Sequence, residues 1–383
     1  MKMSWSRVFL YPALLTLIYQ LNVTAQEAPQ VLIHTENRDV RAATLAYWTP
    51  ERMQTAIPME LLSRDSNSVP AAAYLPTAPG SAGSSPGQPP AASAARFAAG
   101  LGALPAPTTS PEPTGFTQTF YGYPEPFSRA DVPRYSYDES TLSYPSYPQS
   151  TIGKLFFSIG TQNFVCSASV IRPHLLLTAR HCVYDGQFFS NWVFFPGYHA
   201  GANVQLGGAW FARTEITWGC PCNLDGLDIA FIQTFDDDAI GCNGSTLGSP
   251  IENYTGYLGY AYAGNSGNEP VFHYTEVGYP QAAPFSGSWM VRSDSSTADF
   301  DLFGNPDTVE VGSDLTGGAS GGPWIWAWDE GSNPFPYPNS NLVNGLNSFK
   351  WTNPARPLEM GGPQFKDYNF NQLLIAAVNI PCP

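Results

Sequence analysis

From about residue 150 onward, the chain consists of short apolar runs separated by glycine, proline and asparagine. Runs of this length favour strands over helices, and turn residues at this spacing are typical of a β-sandwich or barrel. In the tail, Asn369–Asn379 is predicted to be a helix. The remaining length is ample for two small β domains. The candidate strands are Leu155–Gly160, Ser167–Ile171, Leu175–Thr178, Asn191–Phe195, Ile229–Gln233, Gly256–Ala261, Val271–Val277, Trp289–Arg292, Gly322–Trp326 and Leu342–Phe349.

Residues 1–25 have the pattern of a signal peptide. Lys2 and Arg7 supply a basic start, an apolar run follows over residues 8–21, and small residues lead up to Ala25. We expect cleavage after about Ala25 and secretion into the extracellular space. The alternative is a signal anchor that stays in the membrane. Beyond this point, no run is long and apolar enough to predict a membrane-spanning helix.

Residues 26–134 differ in composition from the rest of the chain. Up to about residue 65 the composition is ordinary, and Pro50 can open a short helix that Pro58 would break or kink. From residue 66 to about 115, proline, alanine, serine, glycine and threonine dominate. Such a segment cannot bury enough apolar surface to offset the entropy of ordering, so a flexible linker is predicted. Residues 135–383 are assigned to the compact domain, whose first strand begins near Ile152.

The formal net charge of −14 falls entirely on the later part of the chain. Up to Arg134 there are nine basic and nine acidic residues, whereas eight basic and 22 acidic residues follow. Such a domain repels phosphate backbones, so no nucleic-acid partner is expected.

All six cysteines lie beyond residue 160, and the even number favours three disulfides in an oxidising compartment. The metal-binding alternative needs paired cysteine spacings that the sequence lacks. We therefore expect neither a metal site nor a cofactor.

Three polar residues stand where catalysis could use them. His181 follows the apolar strand that ends at Thr178, and Asp228 stands just before the apolar run Ile229–Gln233. Ser320 lies in a glycine-rich loop. Separately, each has an ordinary structural explanation. Together they supply a nucleophile, a base to activate it, and a carboxylate to fix the tautomer of that base.

This combination resembles the chymotrypsin-like serine peptidases over roughly residues 150–383. Thr-Ala-Arg-His-Cys stands where that family has Thr-Ala-Ala-His-Cys or Thr-Ala-Gly-His-Cys, and Gly-Ala-Ser-Gly-Gly-Pro stands where it has Gly-Asp-Ser-Gly-Gly-Pro. The resemblance implies an all-β fold of two antiparallel six-stranded β-barrels with a C-terminal helix. It also implies a triad of His181, Asp228 and Ser320, and an oxyanion hole at Gly318 and Ser320.

Three further stretches, residues 195–198, 277–280 and 345–349, are similar to secreted glutamyl endopeptidases and their bacterial trypsin-like relatives. In such proteins the stretch Tyr47–Met53 lies in a propeptide, so residues 26–134 are interpreted as a partly disordered prosegment. The resemblance also implies a disulfide between Cys166 and Cys182. The pairing of the other four cysteines stays open. A bridge between Cys220 and Cys222 would be strained, so each of these two is expected to join Cys242 or Cys382.

The chain departs from the trypsin pattern just before the predicted nucleophile. Ala319 stands where trypsin-like zymogens carry the aspartate that pairs with the new N-terminus. That ion pair is impossible here. We expect the prosegment to inhibit by occlusion, and the oxyanion loop to be ordered in another way.

The predicted substrate-binding residues give conflicting signals about specificity. Asp314 aligns with the position that attracts arginine or lysine in trypsin. Asn347, followed by Ser348, occupies the place of the histidine that recognises glutamate in glutamyl endopeptidases. Lys350 could compensate an acidic substrate or neutralise Asp314. A basic-residue preference is slightly favoured over a surface role for Asp314.

Two other classes of function share features with this sequence. The loop around Ser320 also satisfies the nucleophile-elbow pattern of esterases, but that fold needs a histidine after the serine, and the last histidine is His273. A catalytically inactive homologue that acts as an extracellular binding protein is the remaining alternative. We expect a monomeric enzyme that acts on proteins or peptides and makes no membrane contact after signal removal.

Overall fold

The structure is a computed structural model of the 383-residue chain. It describes residues 29–37, 39–64, 78–90, 117–119, 127–131, 146–199, 206, 208–219, 225–236, 249–265, 273–295, 298–300, 307–330, 339–352 and 358–381. The predicted signal peptide lies outside these residues. Among the helices that are described, none is long and apolar enough to cross a membrane.

Short strands make up most of the described residues. Those before residue 150 are β1 (Gln30–Thr35), β2 (Ile57–Pro58), β3 (Leu62–Arg64), β4 (Gly83–Ser85), β5 (Thr117–Thr119) and β6 (Phe127–Asp131). Those after it are β7 (Ile152–Ile159), β8 (Gln162–Arg172), β9 (Leu175–Thr178), β10 (Ser190–Pro196), β11 (Trp210–Gly219), β12 (Ala230–Thr234), β13 (Gly259–Tyr262), β14 (Tyr274–Gly278), β15 (Val291–Ser295), β16 (Ala298–Phe300), β17 (Thr308–Gly312), β18 (Pro323–Trp326), β19 (Leu342–Leu346), β20 (Phe349–Trp351) and β21 (Glu359–Pro363). The helices are α1 (Val40–Tyr47), α2 (Pro50–Gln54), α3 (Glu252–Thr255) and α4 (Gln372–Val378).

Six strands close into a barrel in the order β7-β8-β9-β12-β11-β10, and each neighbouring pair is antiparallel. β9 and β12 are buried along their whole length, and Phe156, Phe194 and Phe231 belong to the apolar core. Closure leaves no free edge within the ring. The predicted β-barrel is therefore confirmed for this half. Its strand β11 was not predicted.

Apart from β1 and β2, which pair with β11 and β8 of the barrel, the remaining strands form two further sheets, in the orders β4-β13-β19-β18-β14-β15-β6-β5 and β16-β17-β21-β20-β3. β15 contacts β17 and β19 contacts β21. At the first junction, Ser293 Oγ donates to Gly312 O at 3.4 Å; at the second, Ser348 N donates to Gly361 O at 3.1 Å. Strands β14, β15, β17, β18 and β21 contribute side chains to one apolar cluster, which includes Val311, Trp324 and Met360. The predicted second barrel corresponds to this pair of sheets.

Several predicted elements have different bounds in the structure. The predicted strand Gly256–Ala261 starts later, at Gly259, and the predicted strand Leu342–Phe349 is divided into β19 and β20. Residues 271 and 272 of another predicted strand lie outside the described part of the chain. The predicted C-terminal helix is confirmed as a turn of π-helix, Asp367–Asn371, that continues into α4.

Much of the predicted prosegment packs against the rest of the chain. β1 pairs antiparallel with β11, and the indole of Trp48, which follows α1, donates to Asn191 O at 2.7 Å. As predicted, Pro50 opens a short helix, α2. β4 pairs with β13 although it lies within the predicted flexible linker. Composition did not reveal this pairing, because the hydrogen-bonding edge that orders β4 belongs to a distant strand.

Candidate active site

His181 lies in a single 3₁₀ turn, Arg180–Cys182, directly after β9. The predicted disulfide between Cys182 and Cys166 is present, with a Cα–Cα distance of 6.3 Å, and it joins this turn to β8. A strand, a short turn and a covalent link to the neighbouring strand together fix where the imidazole lies.

Asp228 comes two residues before β12, and the pairing of β12 with β9 brings it to His181. One carboxylate oxygen accepts the His181 backbone N–H at 2.8 Å, and the other lies 2.8 Å from His181 Nδ1. An ionised carboxylate only accepts hydrogen bonds, so the imidazole proton lies on Nδ1 and Nε2 is left as a base.

Ser348 provides a second polar contact to Asp228. Its hydroxyl donates to Asp228 Oδ2 at 2.5 Å. Burial by itself would raise the pKa of Asp228, but the charge of His181 and the hydrogen bonds from His181 and Ser348 outweigh it and lower that pKa below its usual value. Asp228 is therefore held as a carboxylate.

The glycine-rich loop between β17 and β18 carries Ser320. Gly318 and Gly321 have φ angles of +95° and +80°, in the left-handed region that favours glycine. A Cβ on Gly321 would lie 2.1 Å from Thr178 Oγ1, so the loop approaches β9 too closely for a side chain. Ser320 O accepts the backbone N–H of Ser167 at 2.8 Å, which fixes the Ser320 loop against β8.

The loop is also ordered without an aspartate at position 319. Gly317 O accepts the backbone N–H groups of Gln281 and Ala282 at 2.8 and 3.0 Å. The Asn347 amide donates to Ala319 O at 3.0 Å and its oxygen accepts the Trp324 indole N–H at 2.8 Å. These contacts take the structural place of the missing ion pair.

The hydrogen bond expected between His181 and Ser320 of the predicted triad is not formed in this structure. His181 Nε2 and Ser320 Oγ are both buried, and neither has a hydrogen-bond partner among the described residues. Such links are often long before substrate binds. The structure thus brings His181 and Asp228 into direct contact, whereas the Ser320 hydroxyl has no partner among the residues that the structure describes.

Residues 57–64, here called the cleft segment, cover the loop that carries Ser320. Met59 N donates to Val165 O at 2.9 Å, and Met59 O accepts the Gly318 N–H at 2.9 Å. The segment continues past Ser348, whose O accepts the Leu62 N–H at 3.0 Å, into β3. The Met59 carbonyl therefore accepts the hydrogen bond of the Gly318 N–H, the group that was predicted to bind the oxyanion.

Both ends of the cleft segment are held by the compact domain. β2 pairs parallel with β8, and β3 pairs parallel with β20. Arg64 Nη2 lies 2.7 Å from Asp225 Oδ2, and the Arg64 guanidinium lies over the rings of Phe349 and Trp351, at 4.7 and 5.4 Å. The segment is thus a strand-like strap anchored on both halves of the fold.

The predicted substrate-binding residues fall into two groups. Asn347 and Ser348 are fully buried and bind the Ser320 loop and Asp228, as described above. Lys350 Nζ donates to Ser313 O at 3.2 Å, next to Asp314. Burial lowers the pKa of Lys350 to about 8, against the effect of the Asp314 and Glu276 carboxylates, which raise it. Asp314 and Lys350 are therefore electrostatic neighbours.

A cavity of about 380 Å³ opens beside the imidazole. Its lining includes His181, Asp228, Tyr184 and Phe189 of the barrel, and Met59 of the cleft segment. The cavity shows that the imidazole has space beside it even while the cleft segment is in place.

Three residues outside the triad could hold a metal ion. His34, Glu36 and Glu215 each place one ligand atom within 4.8 Å of the others. Burial raises the pKa of the Glu215 carboxyl well above its usual value, and Glu36 adds to the effect. One imidazole and two carboxylates match the donors of a divalent-cation site. The sequence had predicted no metal site, because only the β1–β11 pairing brings these residues together.

Some of the sequence-based predictions fall outside the described residues, and one contact was missed. Cys220, Cys222, Cys242 and Cys382 lie outside the described residues, so their pairing stays a prediction. The contact of Met59 O with the oxyanion loop was missed, because no local pattern marks a backbone carbonyl.

No protein-family model and no curated protein sequence matches the chain. Among solved structures, the chain is similar to a thermostable serine protease from an extremophilic microorganism, with 29% identity, coverage of 60% of this chain and 98% of that one, and a TM-score of 0.48. It is similar to the protease Anisep from Arthrobacter nicotinovorans, with 26% identity, coverage of 62% and 96%, and a TM-score of 0.46. A Glu endopeptidase in complex with MPD has 16% identity, coverage of 65% and 95%, and a TM-score of 0.44. The closed six-stranded barrel fits the trypsin fold.

Proposed function

We propose that this chain is a secreted serine endopeptidase, made as a precursor, that hydrolyses peptide bonds with the triad His181, Asp228 and Ser320. One observation carries the proposal: beside a carboxylate-bound imidazole, the Gly318 N–H already binds a peptide carbonyl, that of Met59, at 2.9 Å. A backbone donor that already binds one peptide carbonyl supports the proposal that the same donor binds the carbonyl of a substrate.

In the acylation step, Ser320 Oγ attacks the scissile carbonyl carbon while His181 Nε2 removes its proton. Asp228 holds the imidazole and stabilises the imidazolium that forms. The negative charge on the carbonyl oxygen is bound by the backbone N–H groups of Gly318 and Ser320. The tetrahedral intermediate collapses when His181 gives the proton to the leaving amine, which leaves an ester on Ser320.

In the deacylation step, water takes the place of the amine. His181 Nε2 removes a proton from that water, and the resulting oxygen nucleophile attacks the ester carbon. The same N–H groups bind the oxyanion again. Collapse returns the proton to Ser320 Oγ and releases the carboxylate product, so the enzyme is regenerated.

The direction of the cleft segment supports the precursor part of the proposal. His181 protonates the leaving amine, so the part of a substrate that follows the scissile bond must lie on the His181 side, and the acyl part must lie along β20. In the cleft segment, the residues after Met59 run along β20 instead, parallel to it. The segment thus crosses the cleft in the reverse direction and occupies it without presenting a bond for cleavage.

A peptide-hydrolysis assay on full-length chain, expressed for secretion, tests the proposed function. We expect new peptide termini from denatured casein with the wild type, and a loss of about 10⁶-fold in kcat with Ser320→Ala. Ser190→Ala, which removes an exposed hydroxyl on β10, is the matched control and should leave the rate unchanged. A wild type with no activity after removal of residues 26–134 would instead favour the inactive binding homologue.

A further inference from the structure

Leu61 is the one side chain of the cleft segment that belongs to the apolar cluster of Val311, Trp324 and Met360. It is only 8% exposed, and it belongs to the same apolar cluster as Leu315 and Met360. Its chain neighbours bind the two walls of the cleft: Met59 O accepts from Gly318 N, and Leu62 N donates to Ser348 O. Leu61 therefore lies between the oxyanion loop and the segment that begins at Ser348. We call the space that it fills the primary pocket.

The charged residues next to the primary pocket compensate one another. The Lys350 ammonium interacts with both Asp314 and Glu276, and it donates a hydrogen bond to Ser313 O. Burial raises the pKa of the Glu276 carboxyl well above its usual value, which favours its neutral form. The Lys350 ammonium is thus already compensated by carboxyl groups and Asp314 by an ammonium, so neither offers an unmatched charge to a basic or an acidic side chain.

We propose that the primary pocket binds an apolar side chain of about the size of leucine or methionine, and that Leu61 occupies the place of that side chain in the precursor. This inference rests on the proposed function and deepens it. It replaces the slight preference for basic residues that the sequence predicts from Asp314, because Lys350 lies beside that carboxylate in the structure.

A charged substrate residue would lose water in this pocket without gaining an unpaired partner. Removing an ion from water is unfavourable when no opposite charge is free to meet it. Burial of an apolar side chain is favourable instead. Both effects favour an apolar side chain over a charged one, so kcat/KM should differ strongly between substrates of the two kinds.

The first test compares peptides that differ only in the residue before the scissile bond, cleaved by the protein after removal of residues 26–134. We expect kcat/KM for leucine or methionine to exceed that for arginine or glutamate by about 100-fold or more. A preference for arginine, lysine, glutamate or aspartate overturns the inference while the proposed function stands. If Ser320 is not labelled by a fluorophosphonate, the proposed function fails as well.

The second test uses the full-length precursor and needs no substrate. The rate of fluorophosphonate labelling at Ser320 reports how often the cleft segment leaves the cleft. Leu61→Arg should raise this rate at least about tenfold, whereas Leu61→Met, the matched control, should leave it within about twofold. Equal rates for Leu61→Arg and the wild type would overturn the inference, because they would show a pocket that accepts a cation.

Discussion

The two halves of the candidate site are in different states. On the barrel side, His181 is bound to Asp228 through two hydrogen bonds of 2.8 Å, made by residues of one closed ring. On the other side, backbone hydrogen bonds support the loop of Ser320, but within the described part of the chain Ser320 Oγ has no hydrogen-bond partner, and Gly318 N binds Met59 O. The contact between His181 and Asp228 is thus made at the barrel, with one further hydrogen bond from Ser348, whereas the Ser320 loop has its backbone supports but is covered by the cleft segment.

This difference also separates the chain from zymogens that order the oxyanion loop only after cleavage. Here the contacts of Gly317, Gln281 and Asn347 order the loop while the cleft segment is still in place. Under the proposed function, activation requires removal of the covering segment and no new N-terminal ion pair.

Breaking the barrel half should have the largest effect. Asp228→Asn keeps the size of the side chain but allows the wrong imidazole tautomer, so we expect kcat to fall about 10⁴-fold. The measurement is peptide hydrolysis by the processed protein. Asp236→Asn is the matched control, because Asp236 is another buried aspartate that pairs with a histidine, His174, at 3.2 Å. Similar losses for both variants would contradict the role given to Asp228.

The same carboxylate gives the stability of the fold a dependence on acid pH. The pKa of Asp228 is lowered from its ordinary value of 3.8, so its ionised form stabilises the fold above that pH. That contribution is lost as the pH falls through the lowered pKa. In Asp228→Asn the change in unfolding free energy below about pH 4 should be shallower, which denaturant titration at several pH values measures.

Breaking the nucleophile half should have the next largest effect. In Gly318→Ala, the new Cβ would lie 2.7 Å from Tyr279 O, on a residue whose φ is +95°. The loop must therefore move, and the N–H of residue 318 would no longer point toward the carbonyl that it binds. We expect kcat to fall about 10²–10³-fold with little change in KM. Gly160→Ala has a similar positive φ with nothing within 4 Å of the new Cβ, so it should strain the backbone without affecting kcat.

Ser348 joins the two halves, because its hydroxyl binds Asp228 and its carbonyl binds the cleft segment. Ser348→Ala removes one hydrogen bond to a charged group, so kcat/KM should fall about tenfold. Ser293→Ala, which removes a buried hydroxyl that binds Gly312 O, is the control for general destabilisation. A loss confined to Ser348→Ala would locate the effect at Asp228, and equal losses would refute it.

The smallest effect is expected from the anchor of the cleft segment. Arg64→Ala removes the contact with Asp225 and the stacking over Phe349 and Trp351, so fluorophosphonate should label the precursor about fivefold faster. Arg52→Ala, a change at an arginine that stacks on Tyr47, is the control within the predicted prosegment. An unchanged rate for Arg64→Ala would mean that the hydrogen bonds of the backbone hold the segment alone.

The parts of the fold that sequence predicted well are those with local signals. The residues of β9, β12 and the Ser320 loop are apolar runs or glycines next to the polar residue that matters. β11 was missed because Arg213 and Glu215 interrupt its apolar pattern. Both are buried nonetheless, since β11 lies between β1 and β12, and Arg213 reaches Pro381 O at 3.0 Å.

The course of the cleft segment could not be predicted from sequence. Its hydrogen bonds go to strands a hundred or more residues away, such as those from Met59 to Val165 and from Leu62 to Ser348. Its direction depends on where β2 pairs, which no local pattern states. For the same reason, the sequence only slightly favoured a basic-residue preference from Asp314 and left open whether Lys350 neutralises it, because the position of Lys350 depends on how β20 packs.

Mapping a fluorophosphonate adduct by mass spectrometry over time tests whether Ser320 is a nucleophile that the cleft segment covers. The measurement is made on the full-length chain before and after removal of residues 26–134. We predict a single adduct at Ser320 that forms at least about tenfold faster after removal and is absent in Ser320→Ala. The proposal that Ser320 is a covered nucleophile fails if the adduct forms at another residue, if none forms after removal, or if the rates before and after removal are equal.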